Sequence, residues 1–142
     1  MKQKASVWVV AGIVIILAVI GMVFFYPMAH RTYTLTLPAA EKLESIKLTQ
    51  GTGARTVSDS TEMELLLDTL TGTERKTKNE SIQDCPVNAD NLIQIDFRFA
   101  EKGASTLFIY EKKNRFYIEQ PYNGIYGISA DEFALVENYI LS

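Results

Sequence analysis

The chain has 142 residues, a formal net charge of −3 and 47% hydrophobic residues. One histidine, His30, and one cysteine, Cys85, leave histidine-based catalysis, Cys/His zinc sites and internal disulfides without the residues they require. With Lys2 and Lys4 set aside, 12 basic residues face 17 acidic ones, a balance that argues against nucleic acid or an anionic lipid surface as a partner.

Residues 1–6 form a short tail carrying Lys2 and Lys4 and no acid. From Val7 to Tyr26 no residue is charged, and twenty residues at the helical rise cover about 30 Å, the thickness of a bilayer's hydrocarbon core. The run predicts a single-pass transmembrane helix over 7–26, with Trp8 and Tyr26 at the two interfaces. Its β-branched residues weaken a helix in water but not in lipid, where every backbone N–H must bond internally. The basic tail predicts a cytoplasmic N-terminus and an exported C-terminal part. His30 and Arg31 oppose that orientation, with Glu41 and Glu44 nearby. A signal-anchor fits better than a cleaved signal peptide, because the apolar core is too long and Pro27 stands near the would-be cleavage site.

Residues 27–42 read as a membrane-exit linker or, through the alternation of TYTLTL, as a first edge strand. Residues 43–142 are long enough for one extracytoplasmic domain. LESIKLTQ and ARTVS flank Gly51-Thr52-Gly53, which predicts a hairpin. Asp59 and Glu62 have capping-box spacing, and Met63, Leu66, Leu67 and Leu70 recur on one helical face, predicting a helix from Ser60 to Leu70 that stops at Gly72. Thr73 to Asn79 allows a short strand, and Ser81 to Asp90 has the composition of an irregular loop. In Leu92 to Phe99, Ile93, Ile95, Phe97 and Phe99 alternate with polar residues, so that set faces the core. Strands at Ser105–Tyr110 and Arg115–Gln120 extend an antiparallel meander, and Ser129 with Glu132 starts a last helix carrying Phe133, Val136 and Ile140. The fold class expected is α+β, with an N-terminal transmembrane helix followed by an antiparallel meander sheet and two helices on one sheet face. The other face is left wet or open to a partner.

Few residues suggest chemistry. Asp84 and Asp90 share an oxygen-rich loop with Asn88 and Asn91 but lack a calcium-loop series; no metal or cofactor is predicted. Arg75, Lys76 and Lys78, and separately Lys112, Lys113 and Arg115, read as solvated charge on turns and strand ends. Cys85 is expected as a small buried hydrophobe, with a free reactive thiol or an intermolecular bridge as the alternatives. The stretch FYIEQPYNGIY gathers Tyr117, Tyr122 and Tyr126 around Pro121 and Gly124; these tyrosines either cap the sheet edge or, on such a turn, supply a recognition surface with contact area and a hydroxyl at low entropic cost. Candidate binding residues are therefore Asp84, Asp90, Glu119, Tyr117, Tyr122 and Tyr126, and no catalytic residue is named.

Ser81-Ile82-Gln83-Asp84 with Pro86, the strand IQIDFRF, and TLFIYEKKNRFYIEQPYNGIY together resemble a family of uncharacterised domains of unknown function found in membrane-anchored or exported proteins of Gram-positive bacteria. The resemblance runs from Leu43 to Ile140 and implies a small exported α+β domain with no assigned activity and no catalytic residues. The functional expectation is a membrane-tethered binding or accessory domain that is not an enzyme. It would sit in the cell membrane through its N-terminal helix and meet a membrane protein or an envelope ligand, with no nucleic-acid partner. The alternatives are an envelope hydrolase using carboxylates such as Asp84, Asp96 or Glu119, and an immunity- or inhibitor-type protein.

Overall fold

The computed structural model describes residues 2–29, 35–72 and 77–142, with the side chains of 2–8, 25–29 and 77–78 left out. His30, Arg31, Arg75 and Lys76, and the TYT of the exit segment, lie outside the described residues, as do the side chains of Trp8 and Tyr26. The chain divides into two units, Met1–Arg31 and Thr32–Ser142.

The first unit is the helix α1, Lys2–Ala29. It covers the expected 7–26 helix and continues beyond both ends. From Val9 to Phe24 its large apolar side chains are exposed, Met22 at 71% and Ile20 at 46%. Among the described residues, no helix is long and apolar enough to cross a membrane, the described side chains of α1 being those of residues 9–24.

The second unit is α+β. Seven antiparallel strands form one sheet: β1 Leu43–Gln50, β2 Gly53–Val57, β3 Thr77–Asn79, β4 Asp90–Phe99, β5 Ala104–Glu111, β6 Phe116–Gln120 and β7 Gly124–Ile128, in the order β2-β1-β4-β5-β6-β7-β3. Two helices, α2 Ser60–Thr71 and α3 Ala130–Leu141, and one 3-10 turn, Ala40–Lys42, complete it. The expected β1–β2 hairpin is present, with Gly51 at φ 55° in the turn. β7 was not anticipated: GIYGI is short, and two of its five residues are glycines, which are depleted in strands.

α2 begins where Asp59 accepts a bond from Glu62 N at 3.0 Å. The reciprocal half of the expected capping box is missing, because the Glu62 carboxylate is turned to Arg55 instead. α3 has both halves, with Ser129 Oγ accepting from Glu132 N and Glu132 accepting from Ser129 N. Gly72 closes α2 at φ 59°, its N–H bonded to Asp68 O, a backbone region that favours glycine.

Met63, Leu66, Leu67 and Leu70 of α2 and Phe133 and Val136 of α3 pack on Ile46, Leu48, Ile93, Ile95, Phe97, Leu107, Ile109 and Ile118. Leu35 belongs to the same core at 1% exposure, and Leu37 and Ala40 pack against it. Residues 35–39 therefore contribute to the domain's core rather than acting as a bare linker, and they carry no strand.

Arg55 on β2 gathers the ends of both helices. Its Nη1 donates to Tyr139 O at 2.9 Å and to Ser142 Oγ, its Nη2 meets Glu62 Oε1, and its guanidinium lies 5.8 Å from the Tyr139 ring centroid. The ion pair alone adds little at this partial exposure; the bond to a terminal helix carbonyl and the aromatic contact add more. Arg55→Ala is expected to lower stability by about 1–2 kcal/mol, read as a shift in the urea midpoint with an unchanged slope, whereas Arg55→Lys should recover less than half of it.

Candidate functional site

The site starts from unequal strand lengths. β5 pairs with β4 along its first half, through Arg98↔Ala104, Phe97↔Ser105, Asp96↔Thr106 and Ile95↔Leu107. β6 pairs with β5 only from Phe108↔Glu119 onward. The next residue after Gln120 is Pro121, which has no N–H to give to a ladder. There the chain turns back: Asn123 N donates to Gln120 O at 3.0 Å, and Tyr122 between them sits at φ 60°. Proline followed by a positive φ is the type II turn pattern, whose third position favours glycine or asparagine. A tyrosine there is strained, and the backbone of this turn is a place where strain is held by surrounding contacts.

The gap left beside β5 is an open cleft of ≈ 840 Å³. Ser105, Thr106 and Leu107 form one wall, Gln120, Pro121 and Asn123 another, Thr36–Ala39 with Lys42 a third, and Phe97 and Phe99 the apolar floor, with Asp84 at the rim. Gln120 Nε2 donates to Thr36 O at 2.9 Å, joining two of the walls.

Asp84 arrives from the 80–90 segment, which lies on the sheet face opposite the helices. There Phe108, Tyr110 and Tyr117 make a second small core with Ala89, Leu92 and Ile125, and the Tyr110 and Tyr117 rings are 5.6 Å apart. The expectation of a second face wet or open to a partner is thus corrected for this half: Phe108, Tyr110 and Tyr117 are buried there, and the Glu119 carboxylate among them is met by Ser81 and Tyr110. At the start of the segment the buried Ser81 Oγ donates to Glu119 Oε1 at 2.7 Å, and from below Tyr110 OH donates to Glu119 Oε2 at 3.0 Å. Burial first, then the Glu119 charge, pushes the Tyr110 phenol well above its usual range. Further along, Lys112 Nζ donates to Val87 O at 2.9 Å. Asp84 accepts from Tyr122 OH, the bond that first raises the phenol's pKa.

The six candidate residues therefore separate. Asp84 lines the cleft and accepts from Tyr122, which is 67% exposed beside it and does not itself line it. Asp90 is exposed at the start of β4 opposite Glu111 and lines no part of the cleft. Glu119, at 4% exposure, is spent on Ser81 and Tyr110. Tyr117 and Tyr126 do not lie on the turn; they fall within β6 and β7 and are buried on opposite faces of the sheet, at 5% and 7% exposure. The turn spans only 121–123, so it displays one tyrosine rather than three. Cys85 is exposed rather than buried, one residue after Asp84 in the 80–90 segment. Asp84 lines this cleft while Asp96 lines a different depression with Lys47 and Arg98; a paired-carboxylate hydrolase gains no support from that arrangement. Among the described residues, no three His, Cys, Asp or Glu side chains come together.

Lys42, Thr36–Ala39 and Ser105–Leu107 were not anticipated at the site. Pro121, which ends β6, is the one sequence signal for the last of these; the expected strands Ser105–Tyr110 and Arg115–Gln120 were of equal length, and nothing local marks Lys42 or Thr36–Ala39.

The fold and the cleft define a small antiparallel α+β domain with a notch in its sheet. The chain belongs to the DUF5301 family, described as "Domain of unknown function (DUF5300)", which matches residues 31–127. The match begins before Leu35, in keeping with that residue's place in the core. Among solved structures, one described as "NMR structure of the protein from Ruminococcus gnavus" is similar at 32% identity and a TM-score of 0.58, over 70% of this chain and 99% of that one. Among curated proteins none matches.

Proposed function

We propose that the chain is a binding or accessory domain tethered to the outer face of the cell membrane, which recognises a membrane protein or envelope ligand through the Asp84–Tyr122 cleft. The observation that carries the reading is convergence: the 80–90 segment, the strained β6–β7 turn and residues 36–42, remote in sequence, line one open cleft. Clefts where several segments bring a few polar groups over an apolar floor are the usual form of a binding site. The tether is supported by a 28-residue helix, by the exposure of its described apolar side chains, and by Lys2 and Lys4 at its start.

The test is mild crosslinking and affinity purification of tagged full-length protein from native membranes, beside an Asp84→Ala, Tyr122→Asn double variant. Both proteins should stay with the membrane through an alkaline carbonate wash, and one membrane partner should be recovered with the wild type and lost with the variant. Release by the wash would remove the tether. Equal recovery from both proteins would move recognition away from the cleft.

A further inference from the structure

The nature of the ligand follows from the wall made by β5, and this step rests on the cleft being the binding site. Ser105 and Leu107 give their backbone groups to β4, whereas those of Ala104 and Thr106 point the other way, where β6 does not reach them. Among the described residues, no backbone bond from a turn or loop reaches Ser105, Thr106 or Leu107. A row of backbone donors and acceptors inside a cleft takes up an extended chain as its next strand. Four residues at about 3.3 Å each give an edge of roughly 13 Å, enough for a short peptide and too little for a stable sheet-to-sheet dimer.

Direction follows from the two charged groups on the rim. β5 starts beside Phe99 and Ala100, where Phe99 N donates to Gly103 O and Ala100 N donates to Lys42 O, and so starts at the Lys42 end. It runs toward the β6–β7 turn, where Tyr122 holds Asp84. A peptide continuing the line of β6 is antiparallel to β5, so its N-terminal end falls near Asp84 and its C-terminal end near Lys42. Alternate side chains would face Phe97, Phe99 and Leu37 on the helix side and Thr106 on the other. We propose that the cleft binds an extended peptide segment of a protein partner as an added strand antiparallel to Ala104–Leu107, with a basic group at its N-terminal end and a carboxylate at its C-terminal end.

The probe is the hexapeptide Lys-Thr-Val-Thr-Val-Asp with blocked termini, titrated into the isotopically labelled full chain in mild detergent and followed by amide NMR. Saturable shifts should centre on Ser105–Leu107 and Gln120–Asn123, with slowed exchange of the Ala104 and Thr106 amides that face the cleft. Methylating alternate peptide nitrogens should weaken binding at least about tenfold in one of the two registers, because it removes ladder donors. The reversed probe Asp-Thr-Val-Thr-Val-Lys should bind several-fold more weakly to the wild type. It should become the better ligand of a Lys42→Glu, Asp84→Lys variant whose amide spectrum shows the fold intact.

Binding at the cleft that ignores N-methylation in both registers would overturn strand addition while leaving the cleft as the site. No saturable binding of either probe would overturn the proposal. So would a Thr106 amide already protected before peptide is added, since the edge would then be occupied. Loss of the membrane partner with the Asp84→Ala, Tyr122→Asn variant is independent of all three outcomes and reports on the cleft itself.

Discussion

Glu119→Ala is expected to cost about 3 kcal/mol of stability, because two buried hydroxyls lose their acceptor together. Ser81 and Glu119 are each 4% exposed, as is Tyr110, so water does not freely replace the carboxylate. The loss is local in origin: Ser81 is the point at which the 80–90 segment is fastened to the sheet, and Phe108, Tyr110 and Tyr117 lie beneath that segment. Urea denaturation should show a lowered midpoint, and hydrogen exchange should show the 81–89 amides opening before the β4–β5 ladder. Glu119→Gln keeps one acceptor and should recover more than half of the loss. An alanine variant with wild-type stability and exchange would show that the fastening is not made through this carboxylate.

The same network sets a pH dependence at the alkaline end. Tyr110 holds its proton more tightly in the folded state than at its ordinary value of 10.0. Above that value the unfolded chain releases a proton that the folded chain keeps, so stability present below pH 10 falls as pH rises further. Tyr110→Phe should be less stable than wild type at neutral pH and should show a shallower decline above pH 10. Parallel declines would remove Tyr110 as the source.

Tyr122→Asn is expected to separate binding from stability. Asparagine accepts the left-handed backbone that Tyr122 adopts at φ 60°, and at 67% exposure the tyrosine ring contributes little burial. Stability should be unchanged or raised by up to about 1 kcal/mol. Recovery of the membrane partner should fall by at least about tenfold, since the phenol that holds Asp84 at the cleft rim is gone. A variant that is both destabilised and fully competent in binding would mean that the tyrosine serves the turn rather than recognition.

Local signals made α2 and α3 legible in advance. Asp59 and Ser129 accept the N–H bonds their spacing announces, and each apolar stripe lands on the sheet. β4 was legible for a similar reason: Ile93, Ile95 and Phe97 alternate with Gln94, Asp96 and Arg98 because one face of that strand is buried and the other is not. In β5 the consecutive Leu107, Phe108, Ile109 and Tyr110 are all buried, and a continuous apolar run says only that both faces are covered, not by what. The cover is a segment rich in Asp, Asn and Pro, which composition marks as a loop and not as a lid over a second core.

The candidate site was half legible. Pro121 and Asn123-Gly124 mark a turn, and Tyr122 was placed on it; the neighbouring Tyr117 and Tyr126 were not distinguishable from it, because turn residues fix where the chain reverses but not how many positions belong to the strands on either side. Glu119 illustrates the same limit, since a carboxylate in FYIEQ reads as exposed until a serine 38 residues away is found against it.

By itself the sequence determined the apolar helix, both capped helices, the β1–β2 hairpin and the alternation of β4, all of which depend on contacts within a few residues or on a period repeated along one element. Only the tertiary structure decided that residues 35–42 join the core, that the 80–90 segment covers β5 and β6, and that β5 outruns β6 to leave a cleft with Asp84 and Lys42 on its rim. Those features depend on which strands become neighbours and where their ends fall, and pairing between distant segments leaves no periodic mark on either of them.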